Sequence, residues 1–165
     1  MYHKSYLLGA VVACLTGLSA AAYLSPGQTA GTDSIERGRY LVTIGGCNDC
    51  HTPGYMGTDG QVEESLWLTG DSLGWQGPWG TTFAPNLRIL MQGLTEDQWL
   101  TLARNLKARP PMPWFNLKRM TDDDLRAVYR FTRYLGPGGE PAPAYMPPGQ
   151  LPSPPYFSFQ LPQSN

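Results

Sequence analysis

The sequence predicts an all-α fold of three or more helices, on three observations. Two segments, LTEDQW at 94–99 and MTDDDL at 120–125, open with the same helix-start grammar. A stretch around Ile35, Gly38 and Leu41 carries apolar and small residues at helical spacing. Nowhere does the chain alternate apolar and polar residues over a length that would make a convincing strand.

The elements follow in order. Asp33 with Glu36 three residues later reads as the N-cap pair of a first helix, which Gly45-Gly46 ends. In the second helix Thr95 caps, Gln98 completes a capping box, and Leu94 and Trp99 form a hydrophobic staple. Thr121 caps the third, where Asp122, Asp123 and Asp124 suit the positive end of the helix dipole and Met120 faces Leu125. Its inner face of Leu125, Val128, Tyr129, Thr132 and Leu135 stops at Gly136.

A chain of 165 residues suits one domain. The expected organisation is a targeting segment and linker over 1–31, a folded domain over 32–136 and a proline-rich extended tail over 137–165. The first segment has a basic start at Lys4, an apolar run from Tyr6 to about Tyr23, and Ala20 and Ala22 at a cleavage-like site. It reads as a cleaved export signal, as a retained membrane anchor, or as a lipoprotein leader modified at Cys14. All three readings put the domain outside the cytoplasm, in the periplasm. The tail holds nine prolines interspersed with Tyr145, Tyr156, Phe157 and Phe159, a composition that builds no helix or sheet of its own. It is either a strap across the domain or a partner, or a flexible extension.

A net charge of −1 argues against a nucleic-acid partner. The charge is unevenly spread: seven acids and two bases between Asp33 and Asp71, nine bases and five acids between Arg88 and Arg133.

The chemistry concentrates in GGCNDCHT at 45–52. Outside the first segment Cys47 and Cys50 are the only cysteines and His51 the only histidine. A zinc site needs four ligands and is short of them. A redox-active Cys-x-x-Cys belongs beside a βαβ pattern that does not follow here. What remains is C-x-x-C-H, the attachment site of a c-type haem, set against a plain disulfide next to a surface histidine.

With ERGRYLVTIGGCNDCHT, GPWGTTFAPNL, PPMPW and MTDDDLRAVYRFTRYLG in this order, the chain from about Ile35 to Leu135 resembles the class I monohaem cytochromes c. The likeness extends to the bacterial cytochromes that serve periplasmic and membrane dehydrogenases. The resemblance implies a small cytochrome c-like fold around one covalently bound haem c. Cys47 and Cys50 would tether the haem, and His51 would bind its iron. It also implies that the first and last helices cross, Gly38 meeting Phe131 or Tyr134. FAPNL looks like the family's proline segment, which makes the Pro85 carbonyl the acceptor of the His51 ring N–H, with Asn86 and Leu87 nearby. The Trp- and Gly-rich insertion holding Trp67, Trp75 and Trp79 would cover one haem edge.

For the sixth iron ligand the candidates are Met56, Met91, Met112, Met120 and Met146. Met56 follows His51 too closely, Met120 serves as a staple, and Met146 lies in the tail. Met112 sits between prolines in ARPPMPWFN, a frame that fixes the backbone. The family's axial methionine occupies such a loop before the last helix, and Met91 is next in line.

The resulting expectation is an exported electron carrier rather than an enzyme, with His/Met-ligated iron. Its partners would be a dehydrogenase donor and an oxidase or other cytochrome acceptor. The alternatives are a cytochrome subunit of an alcohol, aldehyde or sugar dehydrogenase, a haem enzyme or sensor with an open sixth site, and a haemless binding module. Arg104, Lys107, Arg109, Lys118 and Arg119 flank the Met112 loop, where they would steer an acidic partner.

Overall fold

A computed structural model describes residues 26–159, with side chains from residue 31. The targeting-segment features, Lys4 to Tyr23 with Cys14, lie outside the described residues.

Helix α1 spans Pro26–Ile44. It starts earlier than the Asp33–Glu36 cap pair suggested, because Pro26 suits a first helical position and the Gly31–Thr32 step does not break the helix. Asp33 is therefore an interior helix residue. After the left-handed Gly46 (φ 68°) comes α2, Cys47–His51, a single turn. The other α-helices among the described residues are α3 (Leu87–Gln92), α4 (Glu96–Asn105), α5 (Trp114–Leu117) and α6 (Asp122–Tyr134), with short 3-10 turns at Met56–Thr58 and Glu64–Leu66.

The caps at Thr95 and Thr121 are formed. Gln98 N donates to Thr95 Oγ1 at 3.2 Å while Thr95 N donates to the Gln98 side chain at 2.8 Å. Asp124 N donates to Thr121 Oγ1 at 3.1 Å. Leu125, Val128, Phe131 and Thr132 of α6 are buried, and with Val42, Met91, Trp99 and Ala103 they form the heart of the core.

The body of the protein is held by α1 crossing α6. A Cβ on Gly38 would lie 2.1 Å from the Ala127 carbonyl oxygen and 2.5 Å from Phe131 Cβ, so the two backbones touch there. The aromatic opposite Gly38 is Phe131, fully buried, while Tyr134 is exposed. The ion pair of Arg37 with Asp124 finishes the seam, and Arg126 and Arg130, both paired with Glu96, tie α6 to α4.

The all-α expectation is corrected in one respect: the helix-rich chain also carries a three-stranded sheet, in the order β2-β1-β3. Strands β1 (Gly74–Gly77) and β2 (Gly80–Phe83) form a tight antiparallel hairpin. Strand β3 (Tyr156–Ser158) runs parallel to β1, pairing Trp75 with Phe157. At four, four and three residues these strands are too short to show alternation. The third exists only because the tail finds an edge to pair with. Met146 adds an isolated bridge to Thr81, so the tail is a strap over the hairpin.

Candidate functional site

Because α2 is one helical turn, Cys47, Cys50 and His51 stand at i, i+3 and i+4 and project to one side. The turn is anchored from below. Asn48 and Thr52 are buried; Thr52 Oγ1 donates to Asn48 Oδ1 at 2.8 Å and accepts the Leu68 N–H at 2.8 Å. Gly70 N donates to the His51 carbonyl at 2.8 Å, and a Cβ on Gly70 (φ 82°) would run into the Asn86 backbone nitrogen at 2.7 Å. That close approach sets the 84–86 segment against His51.

His51 is 6% exposed, and its Nδ1 donates to the Pro85 carbonyl at 2.8 Å. Burial pushes the imidazole pKa below its ordinary value, against the opposing pull of that carbonyl. The ring is consequently neutral, with the proton on Nδ1 and the Nε2 lone pair free to bind a metal.

Cys47 and Cys50 are free thiols. Burial first, then the charge of Asp49, pushes Cys47 up to about 11, and the same causes raise Cys50, with Asp71 adding to them. Both are therefore protonated near neutral pH. Among the described residues no cluster of three or more His, Cys, Asp or Glu side chains is placed to hold a bare metal ion.

These groups open onto a cavity of about 370 Å³, within the range of roughly 300–1,000 Å³ common for small-molecule pockets. Cys47, Cys50, His51, Pro85 and Met112 all line it, as do Leu87 and Trp75, whereas Asn86, Trp67 and Trp79 do not. Its walls are otherwise mostly apolar, including Val42, Leu87, Trp99, Leu102 and Val128. Met112 is half-buried in a loop fastened at two points: Thr82 Oγ1 donates to the Pro110 carbonyl at 2.8 Å, and Trp114 N donates to the Met112 carbonyl at 2.9 Å.

Of the other methionines, Met91 is fully buried in the core and does not reach the cavity, while Met56 is exposed. Met120 does line it, with its methyl 3.7 Å from where a Gly45 Cβ would stand, near Cys47. Two thioethers thus face the space, and Met120 has a place there beyond helix packing.

Sequence reasoning missed Arg88. It is 5% exposed and donates to the carbonyls of Ser65 at 2.7 Å, Gly136 at 2.7 Å, Pro137 at 3.1 Å and Leu135. It ties the end of α6 and the following Gly136–Pro137 to Ser65, and no cap or spacing signal announced it.

Comparison with known proteins adds one relation. Over 127 residues, 73% of this chain, the sequence is 28% identical to the fructose dehydrogenase cytochrome subunit of Gluconobacter japonicus. The chain is similar to a cytochrome subunit. It spans about a quarter of that protein, 24% of its length. No protein-family model matches the chain, and no solved structure matches it.

Proposed function

We propose that this chain is an electron-transfer protein carrying one covalent haem c, working outside the cytoplasm. The observation that carries the reading is the shared cavity: two thiols, a neutral imidazole with its Nε2 free and a thioether surround one mostly apolar space. Those donors fit a flat apolar macrocycle with a central iron. In this reading Cys47 and Cys50 form the thioether links and His51 and Met112 ligate the iron. The bound haem supplies a one-electron ferric/ferrous couple.

The chain's own residues do the rest. Pro85 fixes the His51 tautomer and ring plane and keeps Nε2 basic. The apolar walls exclude water, which limits the reorganisation that accompanies a change of charge. The loop around Pro110–Trp114 holds Met112 at the cavity without a helix.

A second reading, a cytochrome subunit bound to a dehydrogenase, is favoured by the relative's identity as such a subunit. Co-purification with an enzyme supports the subunit, and isolation as a lone redox-active protein supports the free carrier.

The test is a reduced-minus-oxidised spectrum of protein exported in a host that matures c-type cytochromes. A haem that survives acid–acetone extraction is expected, and Cys50→Ala should lose it. Met112→Ala should abolish the near-infrared methionine-to-ferric-iron band and open the ferrous iron to CO, while Met120→Ala keeps the band. Retention of the band in Met112→Ala and its loss in Met120→Ala would move the ligand to Met120.

A further inference from the structure

Charge is absent from the sheet. No residue from Ser72 to Leu87, and none from Pro141 to Asn165, has a charged side chain, in a chain with 12 bases and 13 acids. Those two stretches supply all three strands. Four aromatic rings cluster there: Trp75 with Phe157 at 5.1 Å between centroids, Trp75 with Phe159 at 6.1 Å, and Trp79 with Phe159 at 5.6 Å. Phe157 is nevertheless 50% exposed and Phe159 43%. A neutral aromatic patch left half open marks a contact surface.

The two edges of the sheet differ. The tail closes β2: Thr81 N donates to the Met146 carbonyl at 2.8 Å, and Met146 N to the Thr81 carbonyl at 3.0 Å. On β3 the Pro155 carbonyl accepts from Gly74 N at 3.1 Å, and Phe159 N donates to the Gln76 carbonyl at 2.8 Å. Alternate residues of a strand bond to opposite sides, so the N–H and C=O groups of Tyr156 and Ser158 point away from β1. Among the described residues no strand or bridge pairs with them. Natural sheets guard such an edge with charge or proline. Here Pro154 and Pro155 stop the ladder on one side, and no charge stands on the strand itself.

The cover for this surface must bury rings and also pair four backbone groups. Bilayer hydrocarbon buries rings but has nothing to pair with an open strand edge. A second β3 does both. Set antiparallel about Phe157, each Tyr156 faces the other copy's Ser158, and the two pairs exchange four hydrogen bonds. Phe157 then meets Phe157 of the second copy on the face that carries Trp75, and each Phe159 lies opposite a Pro155. The register is its own match under a two-fold axis, and the neutral patch sets no like charges together.

We propose that the open edge of β3, with Phe157 and Phe159, is the interface for a second copy of this chain. The pairing makes one six-stranded sheet across the two-fold. It closes at a dimer, because Met146 already occupies the far edge of each half. Trp75 also lines the cavity, so the row of Trp75, Phe157, Phe157 and Trp75 across the axis puts the interface beside both cavities.

The experiment is sedimentation equilibrium of the full chain purified from an exporting host, and its readout is independent of the haem reading. The wild type should show twice the mass of one chain. Phe157→Lys, which sets two ammonium groups face to face, should halve that mass. So should Ser158→Pro, which removes an outward N–H and leaves the bonds to β1 in place. Circular dichroism should show both variants folded. Leu151→Lys, at a 76% exposed apolar site outside the strand, should remain dimeric. Under mild oxidation Phe157→Cys should give a peptide joined 157 to 157, since directly opposed residues of an antiparallel pair lie within disulfide reach. A monomeric wild type overturns the inference, and if that monomer floats with phosphatidylcholine vesicles the patch is a lipid surface instead. A dimer that survives Phe157→Lys and Ser158→Pro, or that Leu151→Lys disrupts equally, overturns it too.

Discussion

Replacing Gly38 with alanine tests the helix crossing on which the site is built. The added methyl carbon would stand 2.1 Å from the Ala127 carbonyl oxygen, 2.5 Å from Phe131 Cβ and 2.8 Å from the Ala127 carbonyl carbon. Ordinary optimum contact is about 3.5 Å, so the worst overlap is roughly 1.4 Å. Two of the three obstructing atoms are helix backbone, and the third is a Cβ fixed to it, so no side-chain rotation relieves the clash. The helices must separate, which breaks packing at fully buried Phe131 and Val42. Overpacking of a core usually costs about 1–3 kcal/mol, and a clash against rigid backbone belongs at or above the top of that range. At about 3 kcal/mol the midpoint of thermal unfolding drops by roughly 10 °C. The same helix holds its own control. Gly31 has nothing within 4 Å of a built Cβ. Gly31→Ala should therefore stabilise by about 0.5–1 kcal/mol, through lower backbone entropy in the unfolded chain. The assay is thermal unfolding followed by far-ultraviolet circular dichroism. Equal melting of Gly38→Ala and wild type would refute the reasoning, since it would mean that α1 and α6 do not touch at this point.

Three further outcomes follow from the same geometry. Arg88→Met should cost about 3 kcal/mol or more in urea unfolding, because it strips the donors from four carbonyls, and Arg88→Lys should not rescue it since an ammonium cannot fork. Burial raises the Glu96 carboxyl pKa, but hydrogen bonds from Arg130 and Arg126 outweigh it and hold the pKa below the ordinary value. A depressed carboxylate stabilises the fold above its unfolded pKa of about 4.3, and that contribution disappears as pH falls through the folded value, so acid titrations of stability should flatten in Glu96→Gln. Lys107 and Arg119 are exposed near the Met112 loop, whereas Arg104 is taken up by Asp122. Electron-transfer rates with an acidic partner should therefore fall as salt rises, and Lys107→Glu with Arg119→Glu should weaken the dependence, whereas a flat wild-type response removes electrostatic steering.

Local rules were written plainly in the sequence, and contacts made at a distance were not. Thr95 and Thr121 could be read as caps because the groups they satisfy lie three residues away. The grouping of Cys47, Cys50 and His51 follows from helical spacing alone. Gly38 and its aromatic neighbour were reached through family likeness, and Phe131 rather than Tyr134 fills the role because only Phe131 points inward. The sheet was hidden since each strand is shorter than any periodic signal, and β3 depends on pairing with residues some eighty positions earlier. Arg88 looked like one base among nine, because nothing beside it in sequence shows that its partners lie near residues 65 and 136. The cavity was legible as a list of donors. Its second thioether, at Met120, needed coordinates.

The strap gives the molecule two scales of stability. Strand β3 is paired along one edge only, and Phe157 and Phe159 are half exposed, so lifting the strap leaves the crossing of α1 and α6 untouched. Such a sub-global opening requires less free energy than unfolding the helical body, and hydrogen exchange reports the two separately. The Phe159 amide, bonded to the Gln76 carbonyl, follows the smaller opening; the amides in the middle of α6 follow the larger. Stabilising the helices would slow exchange at the second set and leave the first unchanged. Opening at the hairpin edge is thus governed by a few residues of the tail, however stable the core beneath them is made.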